Sequence, residues 1–271
     1  MFTRKIKFAL AGVGGAAALA IGAAAPASAA TGPAVYTTNS AGYVVTGANF
    51  EAVTTTVGAR PVSQYNATAN KTGFGHGVTL VSKQYTAALG ISVFNGDNGT
   101  TPWDAAFALY NGSGNQVAGC LAGNNGGSGG VNCNASVTGE PGAFAAGPVK
   151  MTISYNPATN LLSFDAAQGS NDFSGTINLG VQFGTPTTFF KTAEIGTTVD
   201  PPSSQPAQPQ LLGKFTGTSL TSYTGHTAGL SAHTTHQQFA TSDGTSSGTV
   251  LLSPTALSNH GHVFQVFDDQ G

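Results

Sequence analysis

The sequence predicts an all-β chain, two antiparallel sheets packed face to face as a β-sandwich. Three observations carry that prediction. Short β-branched and aromatic segments recur along the chain, separated by clusters of Gly, Asn, Asp and Pro. Outside the first thirty residues no window holds a helical apolar period for ten residues or more. The chain is 271 residues long with only 7% charged side chains, yet it is rich in β-branched and aromatic residues, so a core is affordable without helices.

The chain opens with "MFTRKIKFALAGVGGAAALAIGAAAPASAA". Arg4, Lys5 and Lys7 precede a small apolar run that ends in Ala27-Ser28-Ala29. A charged start, an apolar middle and a small-residue end describe a secretory signal peptide, residues 1–29. The run is rich in Gly and Ala and interrupted by Pro26, which argues against a stable membrane anchor. Residues 30–271 are therefore expected to form one exported β-sandwich domain, located outside the cell.

The strand signals follow in order. "AGYVVTG" (41–47) and "NFEAVTTTVGA" (49–59) read as two strands, then "GVTLVS" (77–82), "YTAALGISVF" (85–94) and "WDAAFALYN" (103–111). The clearest hairpin is "VKMTISYNPATNLLSFDAA". Val149, Met151, Ile153 and Tyr155 alternate before "NPATN", and Leu162 and Phe164 alternate after it. "FSGTINLGVQF" and "TTFFKTAEIGTTV" extend the β pattern. "DPPSSQPAQPQ" (200–210) is a Pro-rich loop, since proline favours extended, unpaired backbone. Beyond it "KFTGTSL", "GTVLLSP" and "HVFQVF" offer too few strands for a separate core, so they are expected to complete the same sandwich.

Cys120 and Cys133 are the only cysteines. In an oxidising compartment they are expected to pair as a disulfide around the loop "LAGNNGGSGGVN". Such a staple is worth roughly 3 kcal/mol on the chain-entropy account. Three of the nine basic residues lie in the leader, so the remaining chain is acidic and lacks the basic footprint of a nucleic-acid binder.

Little reactive chemistry is visible. "GNNGGSGG" lacks the lysine and the following helix of a phosphate cradle. His226, His233, His236, His260 and His262 cluster late, and on a strand His260 and His262 would share one side. No Asp, Glu or Cys completes a ligand set with them, so neither metal nor cofactor is expected. The acids show no same-face pair within one strand, as a glycosidase would need, although a pair from separate strands is not legible in sequence. No G-x-S-x-G elbow is present. Trp103 and Tyr110 are the aromatic candidates for stacking on a sugar.

"NSAGYVVTGANFEAVTTTVGARP" near the start and "LLSPTALSNHGHVFQVF" near the end resemble the corresponding segments of the secreted glutamic peptidases, the eqolisins. The resemblance spans most of 39–267 and rests on hydrophobic spacing. It implies a concanavalin-like jelly roll with one concave face. It also implies a site: a glutamine whose amide steadies the oxyanion and a glutamate that acts as general base. Aligned on Gly90, the glutamine position falls on Ala88. The glutamate position, aligned on "AEIGTT", falls on Thr198, a hydroxyl that does not ionise at acidic pH. Gln84 and Glu194 each stand four residues before these positions. On strands they would face the same concavity, about 13 Å away.

The expectation is thus a secreted β-sandwich with no catalytic dyad. Its role would be binding or structural, its partner an extracellular polymer, glycan or protein. Two alternatives stand beside it. One is an acid endopeptidase of the glutamic type using Glu194 and Gln84. The other is a carbohydrate-binding or carbohydrate-active lectin-like module using Trp103 and Tyr110.

Overall fold

The structure is a computed structural model that describes residues 36–37, 40–59, 73–94, 104–122, 127–135, 144–199, 210–233, 235–241 and 251–268. The leader, Trp103 and residues 201–209 of the Pro-rich loop lie outside these. The described residues are nearly all strand. In chain order they are β1 (Tyr36–Thr37), β2 (Ser40–Ala59), β3 (Gly73–Val81), β4 (Tyr85–Phe94), β5 (Asp104–Asn111), β6 (Gln116–Leu121), β7 (Asn132–Ala135) and β8 (Gly147–Asn156). Next come β9 (Leu161–Gln168), β10 (Asn171–Asn178), a short helix α1 (Leu179–Phe183), β11 (Phe190–Val199) and β12 (Gln210–Ser222). The last are β13 (Thr227–Ala228), β14 (Thr235–Thr241), β15 (Leu251–Pro254) and β16 (Phe264–Asp268).

All pairings are antiparallel and form two sheets that share β2. The front sheet runs β14-β2-β11-β3-β4-β5-β6, using Ser40 to Thr46 of β2. The back sheet runs β15-β16-β12-β2-β8-β9-β10-β7, using the far part of β2 from Phe50 to Ala59. What reads in sequence as two strands is thus one strand that changes sheets. The changeover falls at Gly47, whose φ of 89° only glycine adopts readily.

The alternation in the sequence sorts side chains as expected. Along β8 and β9, Val149, Met151, Ile153, Tyr155, Leu162, Phe164 and Ala166 point into the core. From the front sheet Val78, Leu80, Leu89, Ile91, Phe107, Leu109 and Ile195 meet them. Phe107 of the front sheet stacks on Phe164 of the back sheet, ring centroids 4.2 Å apart. Each such buried ring contributes roughly 2–3 kcal/mol of removed apolar surface.

His76 is a titratable side chain inside this core. It is fully buried, its Nδ1 shares a 2.9 Å hydrogen bond with Thr197 Oγ1, and its ring meets Phe215 edge-on across the sheets. Burial holds its pKa down to about 3, so the ring stays neutral. The facing residue is Gly213, where a Cβ would lie 2.8 Å from His76 Cε1.

The predicted disulfide is present between Cys120 and Cys133, Cα atoms 6.2 Å apart. It joins β6, the last strand of the front sheet, to β7, the last strand of the back sheet. The bridge therefore closes one side of the sandwich.

One strand prediction needs correcting. Only the first half of "FSGTINLGVQF" is strand, and the rest turns into α1. Asn178 caps that helix, its side chain accepting a 2.9 Å bond from the Val181 N–H, and Gly184 ends it at φ 61°. A cap and a terminating glycine outweigh a β-like apolar pattern over so few residues.

Candidate functional site

The front sheet has one face on the core and one turned away from it. Strand alternation puts Val44, Glu194, Thr79, Ala88 and Ala108 on the outward face, and the register aligns them in one row across five strands. The next row along is Gly42, Gly196, Gly77, Gly90 and Ala106. Beyond it lie Ser40, Thr198, Gly75, Ser92 and Asp104. On the other side of the Glu194 row stand Thr46, Thr192, Val81, Thr86 and Tyr110.

Four glycines abreast leave a band without side chains across β2, β11, β3 and β4. This glycine floor lies between the Glu194 row and the Thr198 row, each about 7 Å away. The result is a trough running across the strands. Gly42 also serves packing, because a Cβ there would lie 2.0 Å from the Ile195 carbonyl oxygen of β11.

Glu194 is the acid at the trough. It is only partly exposed, and burial raises its pKa to about 7. Neither a cation nor a hydrogen-bond donor offsets that burial. Thr79, its direct partner on β3, is 3% exposed, and its Oγ1 has no hydrogen-bond partner. Ser92, across the glycine floor, is 6% exposed with an equally unpartnered Oγ. Buried polar atoms are ordinarily satisfied, so these two hydroxyls are groups waiting for something.

The residues singled out by sequence fall as follows. Ala88 and Thr198 both face outward on the front sheet, but in different rows and two strands apart, about 16 Å. They do not form one site. The acid that shares a row with Ala88 is Glu194, with Thr79 on the strand between them.

Gln84 is not on a strand. It lies exposed in the turn between β3 and β4, its N–H donating to Ser82 Oγ at 3.2 Å. Even spacing from Ala88 would need β4 to reach Gln84, but β4 begins at Tyr85, and the side chain stands about 10 Å beyond the Glu194 row. Gln84 and Glu194 are not brought together. Tyr110 is on the outward face, half-buried, its pKa raised by desolvation. Trp103 lies outside the described residues.

Thr79, Ser92 and the glycine floor escaped the sequence reading. The signal was there in part, because Gly42, Gly77, Gly90 and Gly196 each interrupt a strand pattern, as glycines do where something approaches closely. Their alignment depends on register, which four separate segments do not disclose.

Two other clusters lie away from the trough. Asp165 on β9 and Asp172 on β10 meet on the outer face of the back sheet. Burial, a hydrogen bond with Asp172 and the charge of Asp172 raise the Asp165 pKa to about 6, against the opposing pull of Lys150. Ser174 Oγ donates to Asp172 Oδ2 at 2.9 Å, so this pair is already engaged. The late histidines do not share a strand face. His260 sits in the 3₁₀ turn Asn259–Gly261 at φ 55°, because Gly261 and the left-handed Asn259 bend the chain there. His262 Nδ1 donates to the Thr218 carbonyl at 2.7 Å. Among the described residues no three His, Cys, Asp or Glu side chains converge as metal ligands.

No protein-family model matches the chain, and no curated protein matches its sequence. Solved structures do. The crystal structure of scytalido-glutamic peptidase with a transition state analog inhibitor superposes with a TM-score of 0.51 at 14% identity, covering 86% of this chain and 98% of that one. The CBM2 module of an evolved Dit of Lactobacillus casei BL23 phage J-1 gives 0.34 at 16% identity, covering 62% and 70%. A β-porphyranase from the human gut bacterium Bacteroides plebeius gives 0.25 at 10% identity, covering 56% and 53%. The first shows a distant shared fold, and the other two are too dissimilar to carry an argument. The all-β sandwich stands, and the likeness to glutamic peptidases holds at the level of fold.

Proposed function

We propose that this chain is an exported binding protein that uses a peptidase-like sandwich without peptidase chemistry. The ligand is an extended polymer lying across the glycine floor, with Glu194 as its anchoring acid. One observation carries the reading: Ala88, two strands from Glu194 in its row on the β4 side, offers only a methyl group, and the one amide of that row, Gln237 on β14, stands on the opposite side beyond Val44. A general base alone activates water, but a tetrahedral intermediate also needs a donor aimed at its oxyanion. Ala88 and the distant Gln84 supply none on the β3–β4 side of Glu194, and Gln237 lies across Val44 on the other side.

The leader-like start and the disulfide support export. A solved glutamic peptidase supports the shared sandwich architecture. The test is incubation of the protein with denatured casein between pH 2 and 5. No cleavage above the Glu194→Gln background is expected. Turnover that disappears in Glu194→Gln would establish the acid endopeptidase instead.

A further inference from the structure

The trough has a chemistry of its own, and it narrows the ligand. We infer that the site takes a neutral glycan; this rests on the binding reading above and names the ligand class for the same trough. The small-residue floor alone would not say so. The second observation is the pair of buried, unpartnered hydroxyls, Thr79 Oγ1 and Ser92 Oγ, which sit on opposite sides of that floor.

Hydroxyls both donate and accept, and sugar hydroxyls do the same, so each side completes the other without residue. Glu194 adds acceptor oxygens beside Thr79. The floor between these rows, about 13 Å across, is buried but carries no side chain that would obstruct a flat ring. Tyr110, one row beyond Ala108 on β5, gives an aromatic edge to the same face.

A peptide fits this surface less well. Its backbone brings a donor and an acceptor at every residue. The middle strands β11, β3 and β4 are paired on both sides, so their own backbone groups are already used and strand addition has no free edge here. The amides of the outward rows, Gln237 on β14 and Gln116 on β6, stand at the two ends of the sheet, and the middle strands β11, β3 and β4 carry none there. Nor does an acidic glycan fit. Among the described residues these rows hold Glu194 but no Lys or Arg, so a uronate or sulfate would meet the Glu194 carboxylate and no cation from the rows.

The experiment is calorimetric titration of the full exported chain with cellohexaose, laminarihexaose and mannohexaose, beside oligogalacturonate and a digest of reduced casein. Saturable binding to at least one neutral hexaose is expected, with none to oligogalacturonate. Thr79→Val and Ser92→Ala should each weaken it about five- to tenfold, the worth of one hydrogen bond. Should either variant fail to fold, amide shift changes in the wild type serve instead: Gly77, Thr79, Gly90 and Ser92 should move on titration. Binding to the casein digest with none to the hexaoses overturns the glycan while leaving a binding protein. Cleavage of the casein removes the binding reading itself. Hexaose binding that leaves those four amides unmoved, or no hexaose binding at all, also overturns the inference.

Discussion

Glu194 and Ala88 stand in one row of the front sheet, separated by a single strand. Their Cα atoms are therefore about 10 Å apart, a gap that two long side chains span and a methyl group does not.

Ala88→Gln should put an amide within hydrogen-bond reach of the Glu194 carboxylate. A donor favours the charged form, so the Glu194 pKa should fall from about 7 by roughly one unit. Carboxyl-detected NMR titration of wild type and variant measures this directly. An unchanged titration would mean that the two positions do not meet.

Glu194 also shapes stability against pH. Its folded pKa of about 7 lies above its unfolded value near 4.3, so its contribution is complete below pH ~4 and lost as pH rises through 7. The loss is at most ~3 kcal/mol. Urea denaturation at pH 5 and pH 8.5 should show wild type weakening over that interval and Glu194→Gln losing much less.

His76 acts on the other limb. Its pKa is depressed, to about 3 from an unfolded value near 6.5, so the unfolded chain takes up a proton that the folded core refuses. Stability from this group is complete above pH ~6.5 and falls as pH drops toward 3, by ~5 kcal/mol at most. Between pH 6.5 and 4.5 Glu194 and His76 oppose each other, and below that His76 acts without this offset. His76→Gln should flatten the acid limb in denaturation curves at pH 6.5 and 3.5. A steep acid limb is a poor foundation for an enzyme working at pH 2 to 5.

Much of this fold was readable in advance and much of the site was not. The hairpin of Val149 to Phe164 announced itself because alternation is a local property, and the Cys120–Cys133 pair because cysteines are scarce. Parity alone put Ala88 and Thr198 on one face of the front sheet. What parity does not give is register between strands. Thr79 comes opposite Glu194 across 114 residues of intervening chain, and nothing local to "GVTLVS" or "AEIGTT" records it. Gln84 shows the same limit in another way, since the strand's end was set by the Ser82 turn and not by apolar spacing.

Two glycines of β2 offer a paired test of packing. At Gly58 an added Cβ meets nothing within 4 Å, whereas at Gly42 it would strike the β11 backbone. Gly58→Ala should leave the melting temperature within a few degrees or raise it, by removing freedom from the unfolded chain. Gly42→Ala should cost about 3 kcal/mol or more, because backbone has nowhere to retreat. Equal effects would show that β2 and β11 are not as close as described.

Loss of the disulfide should act at one edge. Cys120→Ala with Cys133→Ala should cost roughly 3 kcal/mol. Hydrogen exchange should quicken first in β6 and β7, the strands the bridge ties, with β3 and β11 little changed.

Because β2 belongs to both sheets, neither sheet has a centre without it. Its partners β8, β11, β12 and β14 are drawn from residues 147 to 241, far downstream of Ser40–Ala59. The earliest long strand must therefore wait for nearly the last before it is fully flanked, and such distant pairing makes for slow folding. A chain built this way stays loose while it is being made, and closes only once most of its length has arrived.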